Sequence, residues 1–324
     1  MEAPVVFSLI FTVVCAISLF LGIYTLYLNS HSVMNRVFFA LTIALDIWAF
    51  GFSIAISAPD LGTCLFWRRF SAIGWGALFS ILLHFFLIYT SNDHLLKKIR
   101  VYIILYLPSA ITFVGFTYFQ GINPDQYNLV KESFGWTNIA ANNAWDWFYN
   151  IYYFSFTAAS FYLLWSSKKK QQDQNTRKQK NIILFSFFLT ILGGSLTDII
   201  CNSVISIAIP QMAPLLMLFP IVMVYYSIKK LGLMKPKHVD FETVLFNEQI
   251  RRKMINYFSC ACLLGSLLNI VTQYLFYENT NFVTILLFSL FILFIGFAFQ
   301  VIQRCKVRTF YMALLFLLLY RSSY

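Results

Sequence analysis

Apolar runs of roughly twenty residues recur nine times along this chain, and few folds accept that pattern. About twenty such residues make a helix long enough to cross the hydrocarbon core of a bilayer. Within that core each backbone N–H and C=O must be satisfied inside the segment, so each run is expected to be helical. The runs are 4–28, 37–57, 70–89, 101–119, 148–165, 182–207, 212–228, 254–276 and 282–302. Composition agrees, with 59% hydrophobic and only 11% charged residues, against about 25% charged in an ordinary soluble domain. The expected fold class is all-α, a polytopic transmembrane helical bundle. It has a seven-span module and two or three further C-terminal spans. The first run is too long for a cleavable signal peptide and has no basic lead-in, so it reads as a true span.

The distribution of charge sets an orientation. The net charge is +11, but the basic residues sit in short runs between apolar spans. Their expected counterpart is anionic lipid headgroups, and nucleic acid is excluded as a partner. With the N-terminus outside, 20 of the 24 Lys and Arg residues fall on the inner side. The densest inner segment is 168–180, and only Arg68, Arg69, Lys131 and Arg321 remain outside. The expectation is a multi-pass protein of the inner (cytoplasmic) membrane. Trp67, Trp136, Trp145 and Trp147 on the outer loops suit the aromatic belt at the headgroup level. Arg68 and Arg69 are expected to snorkel to that level.

Three domains follow. Residues 1–234 form the seven-span bundle, residues 235–253 a cytoplasmic amphipathic linker, and residues 254–324 the additional spans. The last apolar stretch, 310–320, is about half the length of a span, so the C-terminus is expected to be truncated relative to related chains. In the linker, Asp240 is an N-cap candidate. Phe241, Val244, Leu245 and Glu248 follow at helical spacing. That stripe suits either lying on the membrane surface or pairing two copies in a homodimer.

Ionisable side chains at membrane depth invite attention because they are costly there. Asp46, His84 and Asp198 lie within spans, and Asn202 follows Asp198 by one helical turn. Together they are candidate ligand-binding residues. The plainer account, interhelical hydrogen bonds that hold the bundle together, is preferred. Pro214, Pro220, Tyr226 and Lys229 mark the seventh span and its exit. They are candidates for coupling a signal into the linker, since proline removes a backbone donor and bends a helix. The six cysteines suit apolar filler better than disulfides, and no ligand set for a metal is apparent. No phosphate-binding loop, HExxH motif or nucleophile elbow occurs, so the chain is expected to be non-enzymatic and without a cofactor.

Three stretches carry a resemblance. They are Phe66-Trp67-Arg68-Arg69-Phe70 through Gly74-Trp75 to His84-Phe85-Phe86, Trp145-Asp146-Trp147 to Tyr152-Tyr153, and Gly193-Gly194 through Asp198, Pro210 and Pro214 to Met234. In order and spacing the layout resembles the N-terminal seven-transmembrane sensor region of bacterial histidine kinases and diguanylate cyclases, over about residues 5 to 235. The resemblance implies a sensory module that passes a signal to a cytoplasmic output. This chain carries no phosphoacceptor box, ATP-binding boxes or GGDEF run, so a separate kinase or cyclase is the expected partner, beside the lipid bilayer itself. The competing class is a small-molecule transporter or permease component. Internal repeats would favour that class, and none is evident.

Overall fold

The computed structural model describes residues 3–117, 121–169, 174–205, 207–231 and 256. They fall almost wholly in the first of two compact units, Met1–Lys237. The expected linker, the eighth span apart from Asn256, the ninth span and the last apolar stretch lie outside the described residues.

Among its described residues that unit has seven α-helices. They are α1 (Ala3–Leu28), α2 (Val33–Ile56), α3 (Leu61–Tyr89), α4 (Ile99–Phe116), α5 (Ala144–Lys169), α6 (Gln174–Gly194) and α7 (Ala213–Leu231). A short 3-10 turn, Asp93–Lys97, leads into α4. Among the described residues, five stretches are long and apolar enough to cross a membrane: α1, α2, α3, α4 and Arg177–Asn202. The seventh helix contributes a shorter apolar stretch, Ala213–Ser227.

Local sequence chemistry starts several of these helices. The Ser32 hydroxyl accepts the Asn35 N–H at 3.4 Å ahead of α2. At α3 one carboxylate oxygen of Asp60 accepts the Thr63 N–H at 2.9 Å, and the other accepts the Thr63 hydroxyl at 2.8 Å. A reciprocal box opens α5: the Asn143 side chain accepts from Trp145 and Asp146 N–H, and Asp146 accepts from Asn143 N–H. Each cap satisfies donors that the first helical turn leaves without a partner.

The centre of the unit is α2 against α3, with α1 on the far side of α2. Gly74 explains how close α2 and α3 come. A Cβ there would collide with the Ala44 carbonyl oxygen and the Trp48 nitrogen, so backbone passes over backbone at this point. The seventh helix closes the bundle by returning against α1 and α2 as well as α6, with Tyr24 and Tyr225 packed edge to face at 5.4 Å. The fifth helix packs on α3, α4 and α6. Its Tyr152 hydroxyl donates to the Gly76 carbonyl at 3.1 Å and accepts the Ser80 N–H at 2.9 Å. The Ser80 hydroxyl in turn donates to the Leu105 carbonyl of α4.

Around this centre the outward faces are greasy. Ile99, Ile104, Ile151, Tyr162, Phe185 and Leu192 are all exposed. In water such a surface would drive aggregation; in hydrocarbon it needs no cover.

The loop expected between the fourth and fifth spans holds an element of its own. Strands β1 (Leu129–Glu132) and β2 (Gly135–Asn138) form an antiparallel hairpin with Lys131 opposite Trp136. Gly135 has φ +116°, and a Cβ there would strike the Ile56 carbonyl oxygen, so the hairpin is seated tightly on the end of α2. Trp136 donates its indole N–H to the Ala58 carbonyl at 2.7 Å, and Thr137 donates to the Ile209 carbonyl at 3.0 Å. The third helix also starts earlier than the expected span, at Leu61. Cys64, expected on a loop, is therefore helical and buried.

The Asp60 cap titrates. Above all the Thr63 N–H it accepts holds its carboxyl below the ordinary value of 3.8. The depressed folded-state value means that the carboxylate stabilises the fold at neutral pH, and that this contribution is lost as pH falls below about 4. Asp60→Ala should cost about 1 kcal/mol of stability at pH 7. Thermal unfolding in nanodiscs should show the gap between wild type and variant closing as the pH is taken through that range.

Candidate functional site

The four candidate ligand-binding residues occupy separate settings. Asp46, on α2, accepts a hydrogen bond from the Ser18 hydroxyl of α1, and its second carboxylate oxygen has no partner. His84, on α3, pairs its Nδ1 with the Tyr106 hydroxyl of α4 at 2.7 Å and lies edge-on to Tyr102. Asp198 and Asn202 share one segment, but not as successive turns of an α-helix. After Gly194 the sixth helix widens into a π-helix, Ser195–Val204, with Ile205 N–H reaching back to the Ile200 carbonyl.

That widened winding gives Asn202 a particular task. Its side chain donates to the Thr197 carbonyl at 2.7 Å and accepts the Ile209 N–H at 3.1 Å. It thereby fastens the non-helical approach to α7 onto the end of the sixth helix. Asp198 takes the Thr197 hydroxyl at 2.7 Å and the Ala213 N–H at 3.3 Å, placing a carboxylate at the N-terminus of α7. A hydroxyl from α5 meets the same segment, with Tyr153 and Ser195 oxygens 2.6 Å apart.

Of the coupling candidates, Pro214 sits in the first turn of α7, where a missing N–H is tolerated. Pro220 lies inside the helix. It leaves the Leu216 carbonyl without its helical donor, and the Thr190 hydroxyl of α6 donates there at 2.9 Å. Tyr226 is exposed on α7. Lys229 falls within the same helix.

One cavity joins the polar and aromatic residues at the hairpin end. Its volume is about 140 Å³. Six of the seven helices or their immediate ends supply its walls, with Trp48 and Phe52 from α2, Arg68, Trp75 and Phe79 from α3, and Phe116 from α4. The fifth helix adds Asp146, Tyr149, Asn150 and Tyr153. Thr190, Gly194 and Asp198 come from the sixth, and Gln211, Ala213 and Met217 from the approach and start of α7. Tyr127 and Asn138 reach it from the hairpin region. Among the four candidates, only Asp198 lines this space.

Arg68 overturns the expectation of a snorkelling side chain. It is only 3% exposed. Its guanidinium donates to the Trp136 carbonyl at 2.8 Å and to the Gln211 side chain, and lies 4.1 Å from the centre of the Phe52 ring. Arg69 donates from Nε to the Gln126 side chain at 2.9 Å. A helical register carries the cavity in the sequence: Trp48 and Phe52 are four apart, Asp146, Tyr149, Asn150 and Tyr153 fall at i, i+3, i+4 and i+7, and Arg68 and Trp75 are two turns apart. Among the described residues, no three His, Cys, Asp or Glu side chains gather to hold a metal ion.

A membrane-embedded, multi-pass helical bundle with a chamber of solute size is the class that this geometry defines. A family model described as the N-terminal 7TM region of histidine kinase matches residues 10–236, more than half of the chain. The chain belongs to that family, whose matched region is a membrane sensory module. No curated protein and no solved structure matches the chain.

The Asn202 fastening gives a direct test. Asn202→Ala removes a donor and an acceptor from the approach to α7. Hydrogen–deuterium exchange should rise at the amides of Ile209 and Ala213, while the amides of α2 and α3 keep their protection.

Proposed function

We propose that this chain is the sensory part of a bacterial signal-transduction system. It spans the cytoplasmic membrane seven times over residues 1–234 with its N-terminus outside, and two or three further spans follow. In that orientation the hairpin end faces outward, and the cavity beneath it receives a small solute. The single observation that carries the reading is the make-up of the cavity wall: Gln211, Ala213 and Met217 place the head of α7 inside it. Occupancy therefore bears on the helix that leads to the linker at 235–253. Pro220 and the Thr190 contact give that helix a bend braced by its neighbour, and Tyr226 and Lys229 lie toward its far end.

The output is a separate kinase or cyclase, which the linker meets at the inner face, alone or as a homodimer. The chain itself performs no catalysis in this scheme. A solute sensor differs from a transporter in that its ligand stays on one side of the membrane.

Orientation is checked by a membrane-impermeant amine reagent. Added outside intact cells, it should modify Lys131 and leave Lys178 unmodified; the reverse pattern would discard the proposed topology. Transduction is checked in the full chain by a fluorescent amino acid in place of Tyr226. In vesicles, solutes from growth medium should shift its emission without accumulating in the lumen. Ala213→Trp, which fills the cavity, should abolish the shift, and Pro220→Ala should diminish it. Accumulation inside the vesicles would decide for a transporter.

A further inference from the structure

The charges around the cavity do not balance. Its wall holds two carboxylates, Asp146 and Asp198, against one guanidinium, Arg68. The guanidinium is turned into the protein. Arg68 is only 3% exposed, donates to the Trp136 carbonyl and the Gln211 side chain, and stands 4.1 Å from the centre of the Phe52 ring. Asp146 and Asp198 line the same space and are each only half-buried. The charge presented to a guest is therefore negative.

Both carboxylates are fixed in place by local bonds. Asp198 accepts the Thr197 hydroxyl and the Ala213 N–H, and Asp146 accepts the Asn143 N–H in the cap of α5. Arg68 is near enough to Asp198 to act on it electrostatically, and it offsets one negative charge of the pair. One negative charge remains. A charge held away from bulk water is costly until an opposite charge joins it, so a single positive charge on the guest completes the site.

The rings of the wall suit the same guest. Trp75, Phe116 and Tyr149 stand 4.7 to 6.3 Å apart, centre to centre, and are inclined at 65° to 74° to one another. Their faces thus aim in different directions. Phe79 and Tyr153 add a second inclined pair at 4.6 Å. An aromatic face carries the negative part of the ring's quadrupole and attracts a cation, and groups of such rings recognise quaternary ammonium heads. A methylated head also presents apolar surface to the rings and brings no N–H that needs an acceptor. The cavity measures about 140 Å³, and a cavity of about 150 Å³ holds one benzene ring. A peptide is too large.

From charge, ring geometry and volume we infer that the cavity binds a small quaternary ammonium ion. Its cationic head lies among Trp75, Phe116 and Tyr149, and Asp146 and Asp198 supply the opposing charge. This assignment rests on the reading of the cavity as the sensory site and names its ligand class.

Calorimetry on the full chain in nanodiscs tests it with choline as the probe. Two molecules of similar bulk are the controls: the neutral alcohol with carbon in place of the choline nitrogen, and the anion pivalate. Choline should bind, the neutral alcohol should bind about tenfold more weakly, and pivalate more weakly still. Asp146→Asn and Asp198→Asn each keep an acceptor oxygen and remove a charge. Each should weaken choline about tenfold and leave the affinity for the neutral alcohol unchanged. If a variant fails to fold, the three probes on the wild-type chain still decide. No binding of choline, equal affinity for choline and the neutral alcohol, or tighter binding of pivalate would each overturn the assignment. So would Asn variants that bind choline as the wild type does, or that lose both ligands alike. None of these results touches the sensor reading, which stands or falls on the emission change at position 226.

Discussion

Hydrocarbon offers no hydrogen bonds, so every interruption of a membrane helix must be closed by the protein itself. This constraint governs the irregular parts of the bundle. Pro220 strips a donor from the Leu216 carbonyl, and the Thr190 hydroxyl of the adjacent helix replaces it. The sixth helix widens at Ser195, and Asn202 gathers the loosened backbone around Thr197 and Ile209. Tyr152 inserts its hydroxyl between the Gly76 carbonyl and the Ser80 N–H. Each of these bonds brings in a second segment, so the polar contacts that serve the helix backbones are also the ones that tie the segments together.

The same economy divides the bundle into a tightly packed middle and a polar, aromatic end. The crossing of α2 and α3 is tight enough to demand glycine at position 74. Toward the hairpin, residues of six helices or their ends line the aromatic and polar cavity. The hairpin is anchored to the α2 end through Gly135 and Trp136 and to the segment before α7 through Thr137. Residues far apart in the chain are thereby held around one space. The chain belongs to the histidine-kinase 7TM family, and the residues around that space lie within the matched region.

Much of this was legible in the amino-acid sequence, and the reason is physical. Hydrophobic length announces a membrane helix directly, and five stretches of the described chain meet that standard. The resemblance drawn from Trp67 to Gly74-Trp75, Trp145 to Tyr153 and Gly193 to Met234 named the family that the chain belongs to. What stayed hidden depends on contacts between distant segments. The hairpin was invisible because four-residue strands carry too little periodicity, although Gly135 after Glu132-Ser133-Phe134 is a turn signal. Arg68 looked like a headgroup anchor because sequence position near a span end does not reveal which way the side chain turns. The partners that hold it, Trp136 and Gln211, lie 68 and 143 residues away. The π winding after Gly194 broke the four-residue spacing on which the pairing of Asp198 with Asn202 relied.

The double attachment of Arg68 has a mechanical corollary. One planar cation grips the roof through Trp136 and the approach to α7 through Gln211. Whatever competes for that cation slackens both grips in the same instant. Two parts of the molecule that share no sequence neighbourhood are thus held by a single side chain, without a chain of intermediaries between them.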